Sequence, residues 1–436
     1  MIFLPLYTCI FFSIIYQLNA SHEPDYQPTI DLAYEVLGRI SNHSWEYGTY
    51  AEVMVQLEGD SELSVFAPNV SLPLPITPNP KLWQPKPLFK LVDSILAKRL
   101  SNATTIIEAD GAAADPASLG VPLLVLDNAS KRASKKPKYD YLKIAQEQYD
   151  HLINKVPKDT NGAISQRESE VQYWSDFLHM VPPFLAYVGA INSNFAILEN
   201  SYLQCKYYRD VLRDGDTGTF RHILKGSFND TGLWSTGNGW AAAGMMRVRQ
   251  TMEAVSNQEL KGKLTKMQTD LETWIAEIIV GSYKFQSSES RLLPNYYDKK
   301  AEDTYDEVSG TALLAATAYR LVNLNHEFKS ILPMHKIEEA RKTILEKHLD
   351  PKTGSVSTVV DPLDWNAKAP YDGSPGKQSP EAQAFVILMH TAWKVYDSSS
   401  KSSSNSDGYT SNPGSESDSY PTEESNSYPT RRYRRV

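Results

Sequence analysis

Apolar residues recur at helical spacing through most of the chain, and strand-like alternation is scarce. The pattern is clear in IDLAYEVLGRI from Ile30, KPLFKLVDSILAKRL from Lys86, YDYLKIAQEQYDHLINKV from Tyr139 and DFLHMVPPFLAYVGA from Asp176. It continues in FAILENSYLQCKYYRDVL, GWAAAGMMRVRQTMEAV, LKGKLTKMQTDLETWIAEIIVGS, SGTALLAATAYRLVNL, HKIEEARKTILEKHL and PEAQAFVILMHTAWKVY. With weaker candidates around Ala51 and Val121, the spacing predicts about twelve helices between breaks rich in Gly, Pro, Asn and Asp. The alanine-rich helices at Ala241 and Ala312 are apolar nearly all round, which marks helices buried on both sides. Two concentric layers would bury them: a toroid of helical hairpins, with loops at one end forming a cup. An α-solenoid is the structural rival, but no clean repeat period supports it.

The two ends depart from this pattern. Residues 1–20, MIFLPLYTCIFFSIIYQLNA, form an apolar run closing on Ala20, which reads as a secretory signal peptide more readily than as a first helix. Five Asn-X-Ser/Thr sequons, at Asn42, Asn69, Asn102, Asn128 and Asn229, agree with a secreted, extracellular glycoprotein. Only Cys9 and Cys205 exist, so loss of the leader leaves no partner for an intramolecular disulfide. From about Ser398 the chain turns Ser-rich and nearly free of aliphatics, so residues 397–436 are expected to be a disordered tail ending in RRYRRV. Residues 21–396 remain as one helical domain, long enough to hold a large core without disulfides.

A net charge of −8, with no basic face interleaved with aromatics, argues against nucleic acid as partner. No membrane partner is expected after leader cleavage, no metal or other cofactor is implied, and the oligomeric state is left open. The 25 tyrosines and 8 tryptophans suit stacking on sugar rings, although ordinary packing accounts for most of them.

Three stretches are unlike packing sequence. In YWSDFLHMVPPFLAYVG, Asp176 sits among Trp174, Phe177 and Met180 at the start of an apolar helix. Desolvation there would raise its pKa, as a proton donor near neutral pH requires, whereas the plainer reading is a helix N-cap from Ser175 or Asp176. In DGDTGTFRHILKGSFNDTGLWSTGNGWAAAGMM, His222, Trp234 and Trp240 surround a break at Gly237 and Gly239, which either turns tightly or approaches a ligand closely. In EVSGTALLAATAYRL from Glu307, small residues at a helix start fit close packing or a sugar.

These stretches resemble the unsaturated rhamnogalacturonyl hydrolases of glycoside hydrolase family 105 and their fungal cell-wall relatives. The likeness lies in Trp-X-Asp-X-Leu-X-Met-X-X-Pro-Phe-Leu at residues 174–185, with Pro182 as an additional proline, and in the DGDTGTFRH run ending at His222. It continues in the quartet Gly237, Asn238, Gly239 and Trp240, and in Ser309, Gly310, Thr311 and Ala312. It runs in order from about Asp115 to Trp393 and implies an all-α, six-hairpin (α/α)6 barrel with its pocket in the cup. The resemblance places Asp176 on the family's general acid/base and Asp115 on a second pocket carboxylate. Met180 and His222 fall on substrate-contacting positions, with Trp174, Trp234 and Trp240 as sugar-facing aromatics and Trp45 and Tyr47 as those of the first hairpin.

The implied substrate is an oligosaccharide with a terminal 4,5-unsaturated uronic acid, derived from pectin or rhamnogalacturonan, whose double bond is hydrated. One departure stands out. Where relatives carry an arginine before Gly-Asn-Gly-Trp, this chain has Thr236, which cannot offer a charge or a fork to a uronate carboxylate. Arg221 or another basic residue could reach in, the uronide could differ, or recognition could be lost. A conventional glycosidase using Asp115 and Asp176 and a carbohydrate-binding barrel without activity are the competing functions. Metalloprotease, serine-hydrolase and phosphate-loop motifs are absent from the sequence.

Overall fold

A computed structural model describes residues 23–57, 63–76, 86–370 and 378–406 of the chain. The expected leader and the tail beyond residue 406 lie outside the described residues. Twelve helical stations follow in sequence, and they alternate between two kinds. Outer helices α1 (Gln27–Ile40), α3 (Lys86–Leu96) and α5 (Tyr141–Asn154) each bury one face, as do α8 (Phe195–Leu212) and α10 (Gln258–Ser282). In α5 the buried set is Tyr141, Ile144, Ala145, Gln148 and Leu152, the stripe that a helix lying on a core presents. Asp140, Asn194 and Asn257 cap α5, α8 and α10 by accepting helix N–H groups, which fixes where these helices start.

Inner helices are buried nearly all round. They are α2 (Ser44–Leu57), α4 (Gly120–Arg132), α7 (Pro182–Ile191), α9 (Ser235–Glu253) and α11 (Val308–Leu324). After α11 the chain passes through the single turn α12 (Phe328–Ile331) to α13 (Met334–Thr343), an outer helix, and returns inward along α14 (Pro380–Ser406). Close packing runs from α2 to α4, α7, α9 and α11 in turn. The ring closes through α14: Asn323 on α11 bonds the Ala392 carbonyl, and the Trp45 indole on α2 donates to Glu381 at 2.9 Å. This is the (α/α)6 barrel expected from the pattern, and the solenoid rival falls because the last hairpin meets the first.

A buried ionic network ties four inner-ring elements together. Glu52 and Gln56 come from α2, Arg247 from α9 and Arg320 from α11. His179 comes from the short helix α6 (Phe177–Met180), and its Nε2 lies 2.8 Å from the Glu52 carboxylate. Arg247 pairs with Glu52 at 3.1 Å, and Arg320 donates to Gln56 at 2.8 Å.

Two details differ from the sequence expectation. The helix expected from Asp176 is broken into α6 and α7 at Val181, because Pro182 and Pro183 bring no N–H to continue the ladder and serve instead as the first residues of a new helix. Helix α14 also runs on to Ser406, into the stretch expected to be unstructured. No Gly or Pro occurs there before Gly408, so serine's moderate propensity does not stop the helix. The chain divides into units after Tyr396.

Three small antiparallel ladders ornament the loops: β1 (Tyr173–Trp174) with β2 (Ile223–Leu224), β3 (Leu293–Pro294) with β4 (Asp306–Glu307), and β5 (Val360–Asp361) with β6 (Asp364–Lys368). Each spans only two to five residues, too short for alternation to show in sequence.

Candidate active site

The pairing of β1 with β2 builds the centre of the site. Trp174 stands opposite Ile223, and the Ser175 N–H donates to the His222 carbonyl at 2.9 Å. This register delivers Asp176, at the head of α6, beside the His222 ring, with Asp176 Oδ2 and His222 Nε2 3.6 Å apart. The other ring nitrogen, Nδ1, lies 2.9 Å from Asp230 Oδ2. Asp230 is held in turn by the Tyr296 hydroxyl and the Gly232 N–H. When the ring is neutral, the Asp230 carboxylate holds its proton at Nδ1 and leaves Nε2 as the acceptor. That buried Nε2 has no hydrogen-bond partner among the described atoms.

These groups face a cavity of about 190 Å³ that opens to solvent. Trp45, Asp115, Trp174, Asp176, Met180, His222 and Trp234, seven residues singled out by sequence, all line it. Trp365, from β6, adds an aromatic wall, with its ring edge-on to both Trp174 and His222. The floor is acidic. Burial pushes the Asp176 carboxyl above the usual range, against the opposing pull of His222 and a 3.1 Å bond from the Ser175 hydroxyl. Burial, with the nearby Asp110 and Asp176 charges, pushes Asp115 up to about 7, although Gln166 donates to it at 2.8 Å. Glu381 is pushed well above the carboxylate range by burial and by Asp176 and Glu46. Its Oε2 is buried without a partner among the described atoms.

The capping reading of Asp176 fails, because its carboxylate makes no capping bond to α6 or its neighbours. Three other candidates are corrected. Tyr47, Thr236 and Trp240 are not among the residues lining the cavity. Trp240 is wholly buried against His179 and the edge of Phe385, where the inner ring packs. Thr236 is also wholly buried in the first turn of α9, and its hydroxyl finds no partner among the described atoms. The glycine break beside it serves packing: a Cβ at Gly237 would come within 2.3 Å of the Ser175 hydroxyl. The small residues after Glu307 also belong to packing, with Glu307 accepting the Gly310 and Ser309 N–H groups as the cap of α11. Arg221 does not reach the cavity; it pairs with Asp214 at 2.7 Å and donates to the Thr231 carbonyl.

Sequence reasoning missed Glu381, Asp110, Arg167, Trp365 and Asp230. Glu381 carried the same signal as Asp176, a carboxylate heading an apolar helix. Among the described residues no group of three or more His, Cys, Asp or Glu could hold a metal ion, and no helix is long and apolar enough to cross a membrane.

An acidic, tryptophan-walled pocket in a six-hairpin barrel defines the class, and comparison with known proteins gives the family. The sequence model of Glycosyl Hydrolase Family 88 matches residues 98–391, and the chain belongs to that family. The unsaturated rhamnogalacturonyl hydrolase YesR of Bacillus subtilis (strain 168) is 26% identical over 122 residues, which cover 26% of this chain and 36% of YesR. The match therefore spans about a third of that curated relative's length. A solved structure of a possible family-105 member from Salmonella enterica superposes with a TM-score of 0.62 at 16% identity, covering 86% of this chain and 97% of that one. The unsaturated glucuronyl hydrolase of Bacillus sp. GL1 superposes with a TM-score of 0.55 at 11% identity, covering 85% and 96%. These likenesses bear out the barrel, and with the family match they bear out the relationship to family 105 expected from the motifs.

Proposed function

We propose that the chain is a glycoside hydrolase that hydrates the double bond of a terminal 4,5-unsaturated uronyl residue, with Asp176 as general acid and base. The observation that carries this reading is the Asp176 carboxyl itself: half-buried, raised in pKa by desolvation, making no capping bond, and facing a cavity walled by tryptophan. Such a carboxyl keeps its proton closer to neutral pH, where an enol ether needs an acid. Relatives named as unsaturated rhamnogalacturonyl and unsaturated glucuronyl hydrolases support the substrate class.

The chemistry follows from one group acting twice. The Asp176 proton goes to C4 as the π electrons form the new C4–H bond, leaving an oxocarbenium ion at C5. Water adds to C5 and gives a proton back to the Asp176 carboxylate. The hemiketal so formed opens and releases the neighbouring sugar, consuming one water overall. His222 Nε2, with its lone pair beside Asp176, accepts a hydrogen bond from the incoming water or a substrate hydroxyl. Asp115 and Glu381, raised in pKa by burial, are suited to donate hydrogen bonds to sugar oxygens.

The experiment is to incubate the purified protein with lyase-generated oligosaccharides from pectin, rhamnogalacturonan and glycosaminoglycans, and to follow ultraviolet absorbance. Loss of the double-bond absorbance without added metal supports the reading. Equal turnover of saturated oligosaccharides supports a conventional glycosidase instead, and binding without turnover supports a carbohydrate-binding barrel. Secretion, with cleavage after residue 20, is part of the same proposal; N-terminal sequencing of the exported protein checks it.

A further inference from the structure

Resting on that reading, we infer that Arg167 anchors the uronate carboxylate of the substrate, in place of an arginine at position 236. Arg167 is the one Lys or Arg among the described residues lining the cavity, where the other ionisable groups are Asp110, Asp115, Asp176, Glu381 and His222. A uronate carboxylate taken out of water into this pocket needs a cationic partner, and Arg167 is the fixed positive charge on its wall. A guanidinium also offers the planar fork that a carboxylate accepts.

The side chain is built into place and left unsatisfied. The backbone of Arg167 pairs with Ala112 in an isolated antiparallel bridge, and its N–H donates to the Ser165 hydroxyl at 3.0 Å. The guanidinium lies over the Trp174 ring, 5.9 Å from its centre, and beside Gly111. Gly111 has φ +83, and a Cβ there would stand 3.3 Å from the Arg167 Nη2. A side chain at Gly111 would therefore be strained and would crowd the guanidinium. Arg167 is half-buried and close enough to Asp115 to pull on its pKa, yet its guanidinium makes no hydrogen bond, and no ion pair within 4.0 Å, with the described residues. Elsewhere the half-buried arginines are committed: Arg209 and Arg213 to Glu277, and Arg221 to Asp214. A cation beside an aromatic ring, on the cavity wall and with its donors uncommitted to other described side chains, is placed to bind an anionic group.

The test compares an unsaturated uronyl disaccharide with its C6 methyl ester, on wild type, Arg167→Gln and Arg167→Lys. Wild type is expected to favour the acid by about 10- to 100-fold in kcat/KM, mainly through KM, as the loss of hydrogen bonds to a charged group implies. In Arg167→Gln the acid-to-ester ratio falls to near one, and Arg167→Lys restores part of it. A wild-type ratio near one, or a ratio unchanged in Arg167→Gln, overturns the inference and leaves the hydrolase reading standing. If wild type turns over neither compound, the functional reading fails by itself. Calorimetric binding of the same acid and ester then decides: acid-selective binding lost in Arg167→Gln supports the anchor, and absence of acid selectivity overturns it.

Discussion

His222 Nε2 stands 3.6 Å from Asp176 Oδ2, while its Nδ1 is tied to Asp230 at 2.9 Å. Asp230 thus sets which nitrogen of the ring meets the acid. Burial alone would raise the Asp230 pKa, but the bonds from His222 and Tyr296 outweigh it and hold the carboxyl below its usual range. Asp230→Asn is expected to lower kcat by about 10- to 100-fold and to alter the pH profile, while KM changes little. A merely structural role would move the melting temperature and leave the pH profile of the folded fraction as it was.

Thr236 shows why a motif comparison needs the third dimension. Restoring the relatives' arginine would push a guanidinium into a fully buried turn of α9. Thr236→Arg is expected to lose at least about 3 kcal/mol of stability and to gain no activity. Thr236→Val, which removes a hydroxyl with no partner among the described atoms, stays within about 1 kcal/mol of wild type. Denaturant midpoints and kcat/KM on both variants check this.

The sequons are not equivalent. Asn42, Asn69, Asn102 and Asn229 are exposed, whereas Asn128 lies on α4 with its Nδ2 bonded to the Leu74 carbonyl at 3.3 Å and its Oδ1 buried. If the protein is exported as proposed, glycopeptide mapping is expected to find sugar at some or all of the first four and none at Asn128.

Glu52 holds the inner ring together by charge. Burial would raise its pKa, but Arg247, His179 and Arg320 outweigh that and bring it down from 4.5 to about 2. A carboxylate depressed in the folded state adds stability that is present above its unfolded pKa and is lost as pH falls through the folded value. The contribution of Glu52 therefore disappears between about pH 4.5 and 2. Glu52→Gln leaves Arg247 and Arg320 without their carboxylate and is expected to cost about 3–5 kcal/mol at neutral pH. The acid-induced loss of stability over that window should shrink in the same variant.

What was legible in the sequence follows from how far each signal reaches along the chain. Helix periodicity is local, so all twelve helical stations could be placed, including α8, whose segment from Phe195 to Leu212 is bounded as expected. Asp176 and His222 were legible because each sits within a dense run of unusual residues. Arg167 and Trp365 were not, since a half-buried arginine and a tryptophan in a five-residue strand look like ordinary loop residues until the barrel brings them to one cavity. Trp240 and Thr236 misled for the opposite reason: their motif is conspicuous, but successive helix positions point in different directions, and only Trp234 of that run lines the cavity.

The most direct measurement is turnover and stability of Asp176→Asn on an unsaturated uronyl disaccharide. The proposal expects kcat to fall by at least about 10²-fold, since the only proton donor assigned to C4 is gone. Because the folded-state pKa of Asp176 is raised, its contribution to stability is full below its unfolded pKa and declines as pH rises through the folded one. The neutral Asn variant should therefore match wild type in acid and melt higher than wild type at alkaline pH. Near-normal kcat, accompanied by a stability loss of about 0.5–2 kcal/mol such as a missing helix cap produces, would contradict the account.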